Sequence, residues 1–442
     1  MKPYSCKHIR NVSLPVIIGL LAQNIINVTD TAFLGRVGEV ELGASAMGGL
    51  YYICWFTVFF GFSTGVQIII GRRNGEKNYS AIGPTLMQGL IFLLLLAAII
   101  FWLSFYYAGN IMRIMISSDV ILDSAMSFIK WRIAGFFFAS VTVMYRAFYV
   151  GITQTRMLTV NAIVMAASNI FLDYALIFGH FGMPQLGVEG AAVASVIAEM
   201  ISALFFVVYT FTAVDRRKYG MAFFRRFDFR LVRRILSISS YTMLQYFVSM
   251  GTFLLFFATV ERQGQHSLAI ANIVRSIYIV MFIPLNALSA TSNTLVTNII
   301  GEGRISDVMP LVRRISRMSF FIMFVCVSLI CIFPEEVLMV YTDDISLINE
   351  SVLSIYVISV ALIISSIASV FFNSVSGTGN TKPALLLELG VLVIYTVSIL
   401  VLGLYFRQPV HICFTVEIIY FAGLFIGSIL YLRYANWQHK RV

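Results

Sequence analysis

Apolar runs of about 20 residues recur along the 442-residue chain, and this recurrence limits the possible folds more than any other feature. A helix of about 20 apolar residues is long enough to cross a bilayer. Charged residues make up 12 % of the chain, whereas soluble domains average about 25 %. The sequence therefore predicts an all-α polytopic membrane protein with twelve transmembrane helices. The predicted spans are 13–34, 48–71, 84–107, 125–150, 158–179, 186–212, 236–260, 268–297, 314–334, 351–375, 384–405 and 410–433.

The basic residues predict how the chain is oriented. If the N-terminus is cytoplasmic, 23 of the 31 Lys and Arg residues fall in the cytoplasmic tails and loops. This positive-inside pattern predicts that both termini are cytoplasmic. The net charge of +10 then reflects topology and contact with anionic lipid head groups, so we expect membrane lipid and no nucleic acid as a partner.

The hydropathy pattern repeats on either side of a basic central stretch, with one constant shift that places Gly38 on Gly264. Glycine turns, loop charges and helix spans stay in register under this shift. We therefore predict an N-terminal lobe (1–212, helices 1–6), a basic cytoplasmic linker (213–235) and a C-terminal lobe (236–442, helices 7–12). Six helices per lobe place both lobes the same way up, as a parallel repeat that usually frames a central cavity.

Polar residues inside the first-half spans are candidates for function. Asp30 lies in the first span, and Asn169 and Asp173 share one helix face in the fifth. A carboxylate at bilayer depth costs about 2.5–3.5 kcal/mol, so it usually serves a polar cavity or an ion pathway. Because two neighbouring carboxylates cannot both ionise cheaply there, a shared proton or a Na⁺ ion would resolve the conflict.

The same constant shift carries these three positions onto apolar or aromatic ones. Asp30 falls on Phe256, Asn169 on Tyr395 and Asp173 on Ile399. A structural role would be shared by both lobes. We therefore expect the polar cluster, and with it the coupling site, to be confined to the N-terminal lobe.

Three motifs give the chain a family resemblance. The first span contains Pro15 and then Val28-Thr-Asp-Thr-Ala-Phe-Leu-Gly35, and the fifth contains Asn169…Leu-Asp173. The sixth begins Gly187-Val-Glu-Gly-Ala-Ala-Val-Ala-Ser195. Together they resemble the multidrug and toxic compound extrusion (MATE) transporters over nearly the whole chain.

This resemblance implies a two-lobed antiporter that exchanges organic, often cationic, compounds for Na⁺ or H⁺. The family's cation site would map onto Asp30, Asn169 and Asp173, with Ser195 where the family commonly has Thr. One branch of the family carries further acids in the C-terminal lobe. The corresponding places here resemble Gln245 and Ser365, which argues against the second site of that branch.

Four further polar residues are candidates for a substrate cavity. Gln23 and Asn27 are four residues apart on the first span, and hydrogen bonding between helices is an equally good explanation for them. Gln245 lies in the seventh span, and Glu417, in the twelfth, could contact a cationic substrate.

The resemblance thus implies a monomeric secondary antiporter in the inner membrane of a bacterial cell that exports small organic compounds by alternating access. Its coupling ion is H⁺ or Na⁺, and we expect no other cofactor. A flippase for lipid or for a lipid-linked glycan, or an exporter of one specific metabolite, stays open as an alternative. The sequence contains no pair of side chains that is typical of a catalytic site, so we do not expect an enzyme. Gly377-Thr-Gly-Asn-Thr381 lacks the lysine spacing of a P-loop, so we expect no nucleotide.

Overall fold

The computed structural model describes residues 4–116, 118–221, 227–342 and 344–438, and within these ranges it contains helices and no strand. The helices are α1 (Cys6–Val37), α2 (Glu39–Gly75), α3 (Ile82–Met115), α4 (Asp119–Arg132), α5 (Gly135–Gly151), α6 (Arg156–Phe178), α7 (Val188–Ala213), α8 (Phe229–Glu261), α9 (Gln265–Gly301), α10 (Val308–Ile332), α11 (Pro334–Met339), α12 (Ile345–Gly377), α13 (Thr381–Leu400), α14 (Val410–Cys413) and α15 (Thr415–Tyr434). Short 3₁₀ turns precede α3 and α10, and a π turn (Val401–Tyr405) continues α13.

Membrane-length helices account for most of the described chain. Eleven are long and apolar enough to cross a bilayer, and the bent pair α4–α5 makes a twelfth span if the pair is counted as one. The all-helical prediction is confirmed. The predicted span 125–150 corresponds to α4 and α5, which meet at an angle of 52°.

The bend between α4 and α5 makes room for a buried ion pair. Arg132 ends α4, and its guanidinium binds the carboxylate of Glu199 on α7. A β-carbon on Gly135, the first residue of α5, would meet both of these charged groups. Glycine at the bend therefore leaves the space that the ion pair occupies.

The chain forms two compact units. The N-terminal unit is Ile18–Met243, and the C-terminal unit is Met1–Ile17 together with Leu244–Val442. The divisions fall inside α1 and α8, whereas the sequence predicts lobes 1–212 and 236–442.

The contacts of α8 explain where the division falls. Near its start, the hydroxyls of Ser239 and Thr242 donate to backbone carbonyls of α2 in the N-terminal unit, at 3.1 and 2.7 Å. Near its end, Gln263 donates to the carbonyl of Gly403 in the C-terminal unit, at 3.0 Å. A single long helix thus contributes residues to both units.

The predicted basic linker is only partly a loop. The carbonyl of Tyr219 accepts a hydrogen bond from the Gly83 amide at 2.7 Å, which anchors this stretch to α3, and α8 already begins at Phe229. Five of the 23 predicted cytoplasmic bases lie outside the described residues, namely Lys2, Arg225, Arg226, Lys440 and Arg441.

Candidate functional site

The structure brings together the three polar residues of the first-half spans. Asn169 and Asp173 lie one helical turn apart on α6, with exposed fractions of 1 % and 0 %. The half-buried carboxyl of Asp30 on α1 is an immediate neighbour of the Asp173 carboxyl, and each acts on the charge of the other. We call Asp30, Asn169 and Asp173 the N-terminal cluster.

The N-terminal cluster is rich in polar atoms that have no partner. The carboxyls of Asp30 and Asp173 lie within hydrogen-bonding distance of each other, and they can share a hydrogen bond only if one of them carries a proton. Apart from that contact, no described residue hydrogen-bonds to Oδ1 of Asp30, to either side-chain atom of Asn169, or to either carboxyl oxygen of Asp173. An unsatisfied buried polar group costs about 1–3 kcal/mol. A proton or a small cation among these atoms would remove much of that cost.

The chemistry of these atoms suits a small hard cation. Carboxylate and amide oxygens are the ligands that such cations prefer, and the cluster supplies both kinds. Within the described part of the chain, no three His, Cys, Asp or Glu side chains converge as a metal site. That H⁺ or Na⁺ binds to these atoms stays a prediction of the sequence.

A half-buried arginine lies beside the cluster, and the sequence does not predict a role for it. The positive charge of Arg132 acts on Asp30. Arg132 also donates two hydrogen bonds to Glu199, at 2.7 and 3.0 Å. The hydroxyl of Tyr52 donates to the same carboxylate at 2.9 Å, and the guanidinium lies 3.5 Å from the centre of the Tyr52 ring. The charge of Glu199 is thus compensated.

The other predicted residues of the N-terminal unit are less closely associated with the cluster. Ser195 lies half-buried on α7, and among the described residues its hydroxyl makes no hydrogen bond with the cluster. Gln23 and Asn27 are exposed along α1. Their roles as coupling and cavity residues stay predictions.

Gln245 and Glu417 belong to the C-terminal unit, where the structure reveals an acid that the sequence-based prediction did not include. Glu388 on α13 is only 3 % exposed. Its Oε1 accepts hydrogen bonds from Ser249 and, at 3.2 Å, from Tyr420. The sequence does indicate this residue, because Glu388 is an acid within the predicted span 384–405.

The cluster of Asp30, Asn169 and Asp173 has no counterpart at the equivalent positions of the second half, and the restriction of the coupling site to the N-terminal lobe stays a prediction. Under the repeat, Tyr395 is the counterpart of Asn169, and its hydroxyl donates to Glu417 at 3.0 Å. The C-terminal unit has its own buried acids, but they occupy positions that are not equivalent to Asp30 and Asp173.

The fold and the buried acids define a multi-pass membrane protein with polar sites inside its membrane-length helices. Comparison with known proteins gives the family. The model described as MatE matches residues 15–175 and again residues 242–401, so this chain belongs to the MatE family of multidrug efflux transporters. The two matched ranges are nearly equal in length and keep the register that places Gly38 on Gly264, which confirms the predicted internal repeat.

Two curated relatives are bacterial proteins. The probable multidrug resistance protein NorM of Thermotoga maritima is 24 % identical over 384 residues, which cover 86 % of this chain and 82 % of that protein. The multidrug resistance protein PmpM of Pseudomonas aeruginosa is 28 % identical over 208 residues, covering 46 % of this chain and 43 % of PmpM.

Solved structures share the fold. A MATE transporter in complex with MaL6 superposes with a TM-score of 0.87 at 18 % identity, covering 96 % of this chain and 94 % of its own. The eukaryotic MATE transporter AtDTX14 superposes with a TM-score of 0.86 at 15 % identity, covering 98 % of this chain and 96 % of its own. At these identities the similarity shows the twelve-helix fold alone.

Family membership establishes the general activity. The chain is a transporter of small molecules and not an enzyme, as the sequence predicts.

Proposed function

We propose that this protein is a secondary antiporter that exports small organic, often cationic, compounds in exchange for H⁺ or Na⁺, with the N-terminal cluster as its coupling site. The observation that carries the proposal is the set of unpartnered buried atoms on Asp30, Asn169 and Asp173. The names of the NorM and PmpM relatives, which are multidrug resistance proteins, support the substrate class.

Charge compensation provides the coupling in this proposal. A proton or Na⁺ that enters the cluster compensates the carboxyls of Asp30 and Asp173, while the amide of Asn169 supplies one more oxygen. Arg132 lies near enough to oppose the entering positive charge, which favours release of the ion later in the cycle. The difference in energy between the loaded and empty cluster biases the alternating-access equilibrium.

The proposal includes the setting of the transporter. The chain acts as a monomer in the inner membrane of a bacterial cell, in contact with membrane lipid, and with both termini in the cytoplasm. The positive-inside distribution of the bases supports this orientation.

Efflux from proteoliposomes tests the coupling site. A fluorescent organic cation such as ethidium is loaded, and a Na⁺ gradient and a pH gradient are imposed separately. We expect one gradient to drive efflux by the native chain. Asp30→Asn and Asp173→Asn should reduce efflux to the level of liposomes without protein, because the cluster can then no longer be discharged and reloaded.

Asp123→Asn is the matched control. Asp123 is an exposed aspartate on α4 in the same unit, so its loss should leave gradient-driven efflux unchanged. Native rates in both cluster variants would remove the N-terminal cluster from the coupling mechanism. If the efflux rate of the native chain depends on neither gradient, the antiport proposal itself is wrong.

A further inference from the structure

One arginine of the C-terminal unit lies within a membrane-length helix and has no acidic partner. α9 begins at Gln265, so Arg275 lies about 15 Å along the helix axis, and its side chain is half-buried. The ion pairs in the described part of this unit are all elsewhere, namely His266–Glu350, Arg304–Glu302 and Arg304–Asp307. Basic residues inside membrane spans are rare, and they commonly mark a substrate or ion pathway.

The guanidinium of Arg275 contacts an aromatic ring and no hydrogen-bond acceptor. Its central carbon lies 4.9 Å from the centre of the Phe257 ring on α8, a distance at which the face of the ring attracts a cation. Its Nε is buried and has no partner among the described residues. The two terminal nitrogens also make no hydrogen bond within the described chain, and they are not buried. The guanidinium therefore keeps donors that no group of the described chain uses.

The N-terminal unit shows what a fully partnered arginine in a similar setting contains. The guanidinium of Arg132 lies 3.5 Å from the centre of the Tyr52 ring, and both of its terminal nitrogens donate to Glu199, at 2.7 and 3.0 Å. Arg275 has the aromatic ring but lacks the carboxylate. Because a guanidinium binds a carboxylate through two parallel hydrogen bonds, the group that Arg275 lacks is an anion with two oxygen atoms.

An acid of the same unit lies close by and does not pair with Arg275. Glu417 on α15 is near enough to Tyr278 to act on its charge, and Tyr278 lies one helical turn from Arg275 on α9. Oε1 of Glu417 instead accepts a hydrogen bond from Tyr395 at 3.0 Å. A purely structural arrangement would bring the two opposite charges together, because an ion pair compensates both.

A second donor lies beside the arginine. Asn272 precedes Arg275 by three residues, so the two side chains share one face of α9. The Asn272 side chain is half-buried, and its amide makes no hydrogen bond within the described chain. A carboxylate next to Arg275 can accept from this amide as well.

We propose that Arg275, together with Asn272, binds a carboxylate of the transported compound, so that the substrates include compounds with an anionic group. The guanidinium donates two hydrogen bonds to the carboxylate, and the Phe257 ring holds the guanidinium in place. The inference rests on the proposed function, because it assigns one contact of the compound that the antiporter exports. Arg275 is thus a specificity residue, which distinguishes a free carboxylate from its ester.

Two rhodamine dyes that differ in a single group test the proposal. Rhodamine 110 has a free carboxylate, and rhodamine 123 is its methyl ester, so the pair keeps the aromatic framework and changes only the anionic group. Binding of each dye to the purified full-length protein in detergent is measured by fluorescence anisotropy. The variants are Arg275→Gln, Arg275→Lys and, as a matched control, Arg262→Gln, which alters an exposed arginine of the same unit.

We expect Arg275→Gln to weaken the binding of rhodamine 110 by about 10–100-fold, because the carboxylate loses its charged donor. Binding of rhodamine 123 should be unchanged or tighter, since the substitution removes a positive charge that repels this dye. Arg275→Lys should lose less affinity for rhodamine 110, because lysine keeps the charge but not the paired donors. Arg262→Gln should bind both dyes as the native chain does.

The comparison of the two dyes separates recognition from folding, because an arginine with only a structural role affects both dyes alike. Equal losses for both dyes, or native affinity of Arg275→Gln for rhodamine 110, would overturn the proposal. So would a native chain that does not bind rhodamine 110. Failure of the proposed function is seen separately, as efflux that depends on neither gradient or on neither aspartate of the N-terminal cluster.

A further variant answers the same question if Arg275→Gln is not recovered as folded protein. Asn272→Ala leaves the arginine in place and should weaken the binding of rhodamine 110 severalfold without changing that of rhodamine 123. Native affinity of both Asn272→Ala and Arg275→Lys for rhodamine 110 would show that this face of α9 does not bind the carboxylate.

Discussion

The buried acids of this chain differ in what surrounds their carboxyl groups. Glu199 binds Arg132, whereas Asp173 and Glu388 make no ion pair with any described residue. An amide in place of a paired acid leaves a buried positive charge alone. An amide in place of an unpaired acid removes an unfavourable charge instead.

Thermal unfolding in detergent checks this difference. We expect Glu199→Gln to lower the free energy of unfolding by about 3–5 kcal/mol, because the Arg132 guanidinium loses its counter-charge. The double variant Arg132→Gln/Glu199→Gln should recover much of that loss, and Asp173→Asn should not lower the unfolding midpoint. If the double variant unfolds at no higher a temperature than Glu199→Gln does, this account of the ion pair is wrong.

At this scale the sequence predicts some site residues and not others. Asp30, Asn169 and Asp173 stand out because each is polar within an apolar run, and the last two share a helix face. Arg132 and Glu199 are far apart in the sequence, and only the packing of α4 on α7 reveals that they pair. Glu388 is also an acid within a predicted span, but its burial and its hydroxyl donors depend on helix packing that the sequence does not show.

Among the helices, the packing of α6 on α7 positions Asp173. Gly190, in the first turn of α7, faces the last turns of α6. A β-carbon at this position would lie 2.6 Å from the backbone oxygen of Leu176, less than one turn beyond Asp173. Backbone cannot move aside as the end of a side chain can, so any larger residue must push the two helices apart.

We therefore expect Gly190→Ala to destabilise the protein by about 1–3 kcal/mol and to reduce gradient-driven efflux. Gly49→Ala is the control, because a β-carbon at Gly49 within α2 would meet nothing within 4 Å. Alanine there should be neutral or slightly stabilising, since it favours helix more than glycine does. The unfolding midpoint and the efflux rate are measured for both. Equal behaviour of the two variants would show that the close approach at Gly190 is unimportant.

The helices themselves were predictable to a useful degree, and the exceptions have physical causes. Hydropathy predicts one span at 125–150, but it cannot detect the ion pair of Arg132 at the bend between α4 and α5. Hydropathy also predicts that α2 begins at 48, whereas the helix already begins at Glu39. Helical hydrogen bonding continues past the apolar run, because polar residues form helix equally well outside the hydrocarbon core.

Over the whole molecule, the repeat was visible in the sequence because turns and spans recur at a constant spacing, and the two MatE matches confirm it. The division into units was not visible, since it depends on which partners the two ends of α1 and α8 contact. Two features of topology follow from the predicted orientation: the α2–α3 turn is cytoplasmic, and the α8–α9 turn faces the opposite side. The second depends on whether the bent pair α4–α5 crosses the membrane.

Single cysteines test both features in a chain whose five native cysteines are replaced by serine. Asn78→Cys lies exposed in the α2–α3 turn, and Arg262→Cys lies exposed in the α8–α9 turn. With cytoplasmic termini and twelve spans, a membrane-impermeant maleimide should label Arg262→Cys in intact cells and Asn78→Cys only after the cells are opened. If neither is labelled in intact cells, α4–α5 enters and leaves on one side, because eleven crossings place both turns in the cytoplasm. If intact cells label Asn78→Cys and not Arg262→Cys, the chain has the opposite orientation, and the positive-inside prediction is wrong for it.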